Sequence, residues 1–195
     1  MIIDGRQSDG LPKTDYDLVI VGAGPAGISV AHALDGTGLR IALLESGGDD
    51  YDDAAQDLNE GTILGNDSYD LASSRLRLLG GTSNHWGGQC TPLDEIDFRR
   101  APPGFTGWPF AKSELDPYYA RAHDYCDVGE ARYDAGALAP DDPGLWLFRD
   151  RDEVKTAVLR QSAPTRFGEK YRAALAVPRY LAKTPRVRPA QFLHA

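Results

Sequence analysis

Apolar and polar positions along the first fifty residues follow two different periods. The run from Asp17 to Val21 in "DYDLVIV" is short and continuous, as in a strand buried within a parallel sheet, and it ends on Gly22, Gly24 and Gly27. Beyond the glycines Ala26, Val30, Ala31 and Leu34 recur at helical spacing, which predicts a helix laying a small apolar face on a sheet. The turn "DGTG" stops that helix, and "LRIALLE" is a second apolar run whose last residue is Glu45. Strand, glycine turn, helix and strand make a βαβ unit, so the predicted fold is α/β, a Rossmann-like domain with a central parallel sheet.

After Glu45 the periodicity weakens. "GGDDYDDAAQDLNEG" carries acids at no regular interval and predicts a solvated surface loop. The Pro and Gly cluster "RRAPPGFTGWP" is the clearest boundary, and within it Trp108 is expected to anchor a loop by burial. "ELDPYYARAHDYC" predicts a helix opened by Ser113, with Asp116 at capping-box spacing. On it Tyr118, Tyr119 and Ala122 are expected to pack, and His123 to make a surface salt contact. "LWLFRDRDEVKTAVLRQS" suggests one or two strands. His32, inside the first helix, is given no role, and His194 none either. The organisation expected is a tail over 1–14 and a nucleotide-binding domain over 15–195, with about 100–165 as an inserted, covering segment.

A chain of 195 residues suits one compact domain. Asp and Glu number 29 against 21 Lys and Arg, a net charge of -8 without a basic cluster, which argues against a nucleic-acid partner. "MIIDGRQSDGLPKTDYD" lacks the pattern of a signal peptide, and no apolar run reaches the roughly 18 residues of a membrane span, so the expectation is a cytoplasmic protein that does not engage a membrane. Cys90 and Cys126 are far apart in the chain and in no zinc or CxxC spacing. They predict neither a disulfide framework nor a metal site, only two idle or buried thiols.

The glycines carry the chemistry. Gly22 serves the dihedral angles of a tight turn, Gly24 lets backbone approach a pyrophosphate, and Gly27 lets the helix pack closely on the strand. Pro25 fits the first helical turn because its missing N–H would have no partner there. The free amides of that turn, Ala26 included, form an anion site with the positive end of the helix dipole. Glu45 ends the second strand at the distance where a carboxylate accepts hydrogen bonds from ribose hydroxyls and would repel the extra phosphate of NADP. The pattern admits FAD or NAD.

The stretch from Arg75 to Gly88, "RLRLLGGTSNHWGG", narrows the choice. Following a dinucleotide fingerprint, it resembles the glucose-methanol-choline family of FAD-dependent oxidoreductases, and within it the branch of pyranose 2-oxidases and related sugar or glycoside oxidoreductases. "GWPFAKSELDPYYARA", "SAPTRFGEKYRAAL" and "VRPAQFLHA" resemble further blocks of that branch in the same order, the last being the start of the family's next core strand. The resemblance covers about Tyr16 to the end.

It implies FAD as cofactor, with backbone contacts from Gly80, Gly81, Thr82 and Ser83 along the pyrophosphate and flavin, and Asn84 near the ring. His85, followed by Trp86, falls where pyranose oxidases bond a histidine to the flavin 8α carbon. Asn84 replaces the threonine of their motif, which leaves a covalent and a non-covalent flavin both open. The implied reaction is hydride transfer from an alcohol group of a sugar or glycoside to flavin N5, with oxygen or a quinone-like acceptor reoxidising the flavin. The family's base lies in C-terminal segments, so no catalytic residue is assigned in this chain, which is expected to act within a longer polypeptide or complex. Two alternatives stay open: a non-catalytic FAD-binding subunit or remnant that needs a partner chain, and an NAD-dependent dehydrogenase.

Overall fold

The computed structural model describes residues 2–4, 15–64, 69–99, 107–134, 157–176 and 182–183. The chain divides into two compact units, Met1–Trp86 with Arg166–Ala195, and Gly87–Thr165. Among the described residues the strands are β1 (Ile3–Asp4), β2 (Leu18–Val21), β3 (Ile41–Glu45), β4 (Gln89–Cys90), β5 (Arg160–Gln161) and β6 (Ala182–Lys183).

The first unit is mixed α/β and built on a small parallel sheet in the order β1-β6-β3-β2. β3 is buried along its whole length, as its unbroken apolar run requires of a central parallel strand, and β2 alternates between half-buried and exposed at the outer edge. β1 pairs Ile3 with Ala182, which brings part of the segment expected to be a tail into the sheet. The segment "VRPAQFLHA" and most of "LWLFRDRDEVKTAVLRQS" lie outside the described residues; of the latter, Arg160–Gln161 is strand β5.

Helix α1 (Pro25–Ala33) joins β2 to β3. Its buried residues are Ile28 and Ala31, whereas Ala26 is exposed and Val30 is 47% exposed. This corrects the apolar face read from the sequence. Gly27, Ile28 and Ala31 share one side of the helix, and Val30 falls roughly opposite Ile28 at about 100° per residue. Gly27 sets that side, because a Cβ there would land on the Gly22 carbonyl oxygen and lie 3.4 Å from Ile20 Cγ2. Since Ile20 is registered with Leu43, α1 covers the face of the sheet that carries both. On the other face Tyr16 packs against Ala42 and Leu44, and Val19 and Val21 remain half exposed.

The acidic segment after Glu45 is not a plain loop. Asp52 accepts from the Ala55 amide at 2.8 Å and caps a short helix, Asp53–Gln56, followed by a 3-10 turn, Asp57–Asn59. Ala55 and Gln56 are buried, so spacing set by one cap and two buried side chains escaped a search for periodicity.

In the second unit β4 and β5 form an antiparallel pair. The helix expected around residues 114–126 runs over Asp116–Cys126 behind a 3-10 turn, Lys112–Leu115. The turn is entered at Ala111, whose amide donates to Glu114 at 3.1 Å, so Glu114 rather than Ser113 and Asp116 supplies the end group. His123 is 4% exposed; its Nδ1 bonds the Gly129 carbonyl at 2.8 Å and its Nε2 the Tyr133 hydroxyl at 2.7 Å. A surface salt contact is therefore replaced by a buried clamp on the turn after the helix. Trp108 is 53% exposed and lies against Phe98 and Phe110 with ring centroids 6.4 and 5.5 Å away, so it joins an aromatic cluster instead of being buried. Tyr118 is exposed, and Tyr119 accepts from the Leu93 amide at 3.1 Å. Among the described residues no helix is long and apolar enough to cross a membrane.

Candidate functional site

The turn from β2 into α1 is built by glycine. Gly22 has φ 98 and nothing within 4 Å of where a Cβ would stand, so the turn presents bare backbone to open space. Gly24 is the N-cap of α1 and Pro25 opens its first turn, which contains no acidic residue to compete with an anion. The amides of that first turn have no partners within the helix, the arrangement that accepts a phosphate oxygen.

Ala23, between the two glycines, is fully buried and joins three parts of the chain. Its amide donates to Glu45 Oε2 at 2.7 Å, and its carbonyl accepts from the Gly80 amide at 2.8 Å. Close by, a Cβ on Gly81 would stand 3.0 Å from Gly24 Cα. The two glycine blocks that the sequence presents as separate signals thus meet backbone to backbone, with the strand-ending carboxylate beside them.

Glu45 is 6% exposed. Besides the Ala23 amide it accepts from the Gly47 amide at 3.0 Å and the Ser46 hydroxyl at 3.3 Å. A carboxylate has about four acceptor directions, so three donors leave room for one more. The first task of Glu45 in the fold is to hold the glycine turn against the end of β3.

The second block forms a 3-10 turn, Gly81–Asn84. Gly80 has φ 90, and a Cβ on it would lie 2.5 Å from the Gly168 nitrogen. Ser83 is buried; its hydroxyl donates to the Gly80 carbonyl at 2.6 Å and accepts from the Phe167 amide at 3.0 Å. Asn84 donates to the carbonyls of Leu79 and Gly81 at 3.0 and 2.8 Å, and Thr82 accepts from the Leu76 amide at 3.4 Å. These side chains shape the turn, and the amides of Gly80 and Gly81 are spent on Ala23 and Leu78. His85 is exposed and Trp86 half-buried.

Several residues that hold the site were not singled out from the sequence. A Cβ on Gly47 would strike the Arg77 carbonyl and stand 2.7 Å from Leu78 Cα. Arg77 donates from Nε to Asn59 at 2.7 Å and from its guanidinium to Ser46 at 3.1 Å. Buried Gln56 donates to the carbonyls of Ala72 and Arg75 at 2.5 and 2.6 Å and accepts from the Arg77 amide at 3.1 Å. Gly168 packs its backbone on Leu79 and Gly80. The pair of glycines in "ESGGDD" was the available signal for Gly47; the others carry none.

Among the described residues no group of three His, Cys, Asp or Glu side chains is placed to hold a metal ion. Compared with known proteins, the chain matches no family model and no curated protein.

Proposed function

We propose that this chain is the nucleotide-holding part of an FAD-dependent oxidoreductase of the glucose-methanol-choline type, with a Rossmann-like arrangement around Gly22–Gly27, acting on an alcohol group of a sugar or glycoside. The observation that carries the reading is the meeting of both glycine blocks and Glu45 on the backbone of Ala23. A dinucleotide needs an anion-accepting helix start, a side-chain-free turn and a carboxylate at the next strand end, and these lie together here.

In this reading the amides at the start of α1, with Gly22, Gly24, Pro25, Ala26 and Gly27, hold the pyrophosphate, and Glu45 orients the ribose. The backbone of Gly80–Asn84 lines the path toward the flavin, and His85 and Trp86 stand at its far end. Bound FAD supplies hydride acceptance at N5. No residue of this chain is assigned as the base that takes the hydroxyl proton; that role falls to a further part of the polypeptide or a partner chain. Oxygen or a quinone-like acceptor takes the electrons.

Titration of the purified chain with FAD, followed by quenching of flavin fluorescence, tests the reading. Saturable binding is expected, and Glu45→Gln should weaken it about tenfold by removing a charged acceptor. A folded chain that ignores FAD, or that binds NAD in its place, would overturn the proposal.

A further inference from the structure

Arg77, ahead of the second glycine block, is half-buried and tied at every nitrogen of its guanidinium. Nε donates to Asn59 Oδ1 at 2.7 Å, one terminal nitrogen to the Leu58 carbonyl at 3.4 Å, and the other to Ser46 Oγ at 3.1 Å. Its own amide donates to Gln56 Oε1 at 3.1 Å. The short helix Asp53–Gln56 and the turn Asp57–Asn59 thus aim one N–H of Arg77 at Ser46. That N–H fills an acceptor direction of the serine oxygen, so the hydroxyl proton points elsewhere, and Glu45 Oε1 receives it at 3.3 Å. Oε1 therefore takes two donors, the Ser46 hydroxyl and the Gly47 amide at 3.0 Å, and Oε2 takes one, the Ala23 amide at 2.7 Å. Each carboxylate oxygen offers about two acceptor directions, so Oε1 is filled and the open one belongs to Oε2, the oxygen bonded to the glycine turn.

We infer that Ser46 and Arg77 are positioning residues that set nucleotide specificity: by filling Oε1 they leave Glu45 a single acceptor, so the site reads one ribose hydroxyl of the adenosine half and not the pair. The inference rests on the FAD reading and adds the rule by which the ribose is chosen. A carboxylate with both oxygens open can take the two adjacent hydroxyls of a ribose, one on each oxygen. Here the second hydroxyl meets an oxygen that is already satisfied. Ser46 acts through Glu45, and Arg77 through Ser46. Removing the serine hydroxyl opens Oε1 and lets the second ribose hydroxyl bond there.

The test measures, by flavin fluorescence, the dissociation constants of the full chain for FAD and for two FAD analogues, one built on 2′-deoxyadenosine and one on 3′-deoxyadenosine. In the native chain one analogue should bind about tenfold more weakly than FAD and the other within about twofold of it, since a single hydroxyl meets the charged acceptor. Ser46→Ala should bring the two analogues to within about threefold of each other. Arg77→Met should shift them the same way, while Arg77→Lys, which keeps a donor for Ser46, should hold the native ratio. A purely structural role would weaken all three ligands by one factor and leave the ratio between the analogues unchanged. Circular dichroism checks that each variant is folded, and Ser46→Ala, which deletes one oxygen atom, carries the test if Arg77→Met does not fold. Saturable FAD binding with both analogues weakened alike in the native chain, or a ratio untouched by Ser46→Ala, would overturn the inference and leave the FAD reading standing. A native chain that binds none of the three ligands fails the FAD reading, and the inference with it.

Discussion

Gly47→Ala tests the packing of the candidate site at a residue whose amide donates to Glu45 at 3.0 Å. Gly47 does not adopt a positive φ, so alanine brings no backbone penalty of its own and the effect is purely steric. The added methyl would strike the Arg77 carbonyl and lie 2.7 Å from Leu78 Cα, where carbon atoms prefer about 3.5–4.0 Å. Backbone must give way, since no flexible side-chain tip is involved. Overpacking of this kind costs about 1–3 kcal/mol. Displacing residues 77–79 also loosens the Leu79 amide to Gly48 carbonyl bond at 2.9 Å and the Arg77 amide to Gln56 bond at 3.1 Å, each worth about 1 kcal/mol. The expected loss is about 3–5 kcal/mol, a large share of the usual stability of about 5–15 kcal/mol. Urea unfolding followed by far-ultraviolet circular dichroism should show the midpoint falling by about 2 M, taking a slope of about 2 kcal/mol per M. Gly36→Ala is the control, with φ 78 and nothing within 4 Å of the new methyl, and should lose only about 1 kcal/mol. Gly47→Ala unfolding at the same urea concentration as Gly36→Ala would refute the steric argument.

Ser83→Ala leaves the Phe167 amide and the Gly80 carbonyl without their shared hydroxyl in a buried place, and should cost about 2 kcal/mol by thermal or urea unfolding. Ser83→Thr, which keeps the hydroxyl, should recover part of it. Asp17 is held below its ordinary value of 3.8 by its hydrogen bonds to the Arg40 side chain. The unfolded chain therefore takes up the proton first, so the pair's contribution is complete above pH 3.8 and is lost as pH falls through the lower native value. In Asp17→Asn the decline of the melting temperature on acidification should be shallower than in the native sequence; identical acid limbs would show that this exposed pair does not couple to folding.

The glycine turn was legible because its requirements belong to residue types. A positive φ at Gly22 and helix contact at Gly27 follow from local spacing, and both are found. Gly47, Gln56 and Gly168 were not legible because what constrains them arrives from elsewhere in the chain: the backbone of Arg77 and Leu78, the carbonyls of Ala72 and Arg75, and the backbone of Leu79. The face of α1 was misread for a related reason, since helical spacing gives a stripe without saying which stripe the sheet meets, and the clash-free side at Gly27 decides it. In the same way His123 reads as a surface residue among acids until the turn at Gly129 and Tyr133 closes over it.

The sheet has a consequence for how the chain is made. β3 is flanked by β2, which precedes it closely, and by β6 at Ala182–Lys183, which follows the whole of the second unit. At a synthesis rate of about 5–20 residues per second, β3 waits on the order of ten seconds for that neighbour. During the wait the edge of β3 at Leu44–Glu45, which pairs with Ala182 and Lys183, is open to other unfinished chains, while Gly87–Thr165, contiguous in sequence, can close on itself first. The yield of folded protein should then depend on how quickly β6 is delivered and on whether a chaperone shields β3 in the interval.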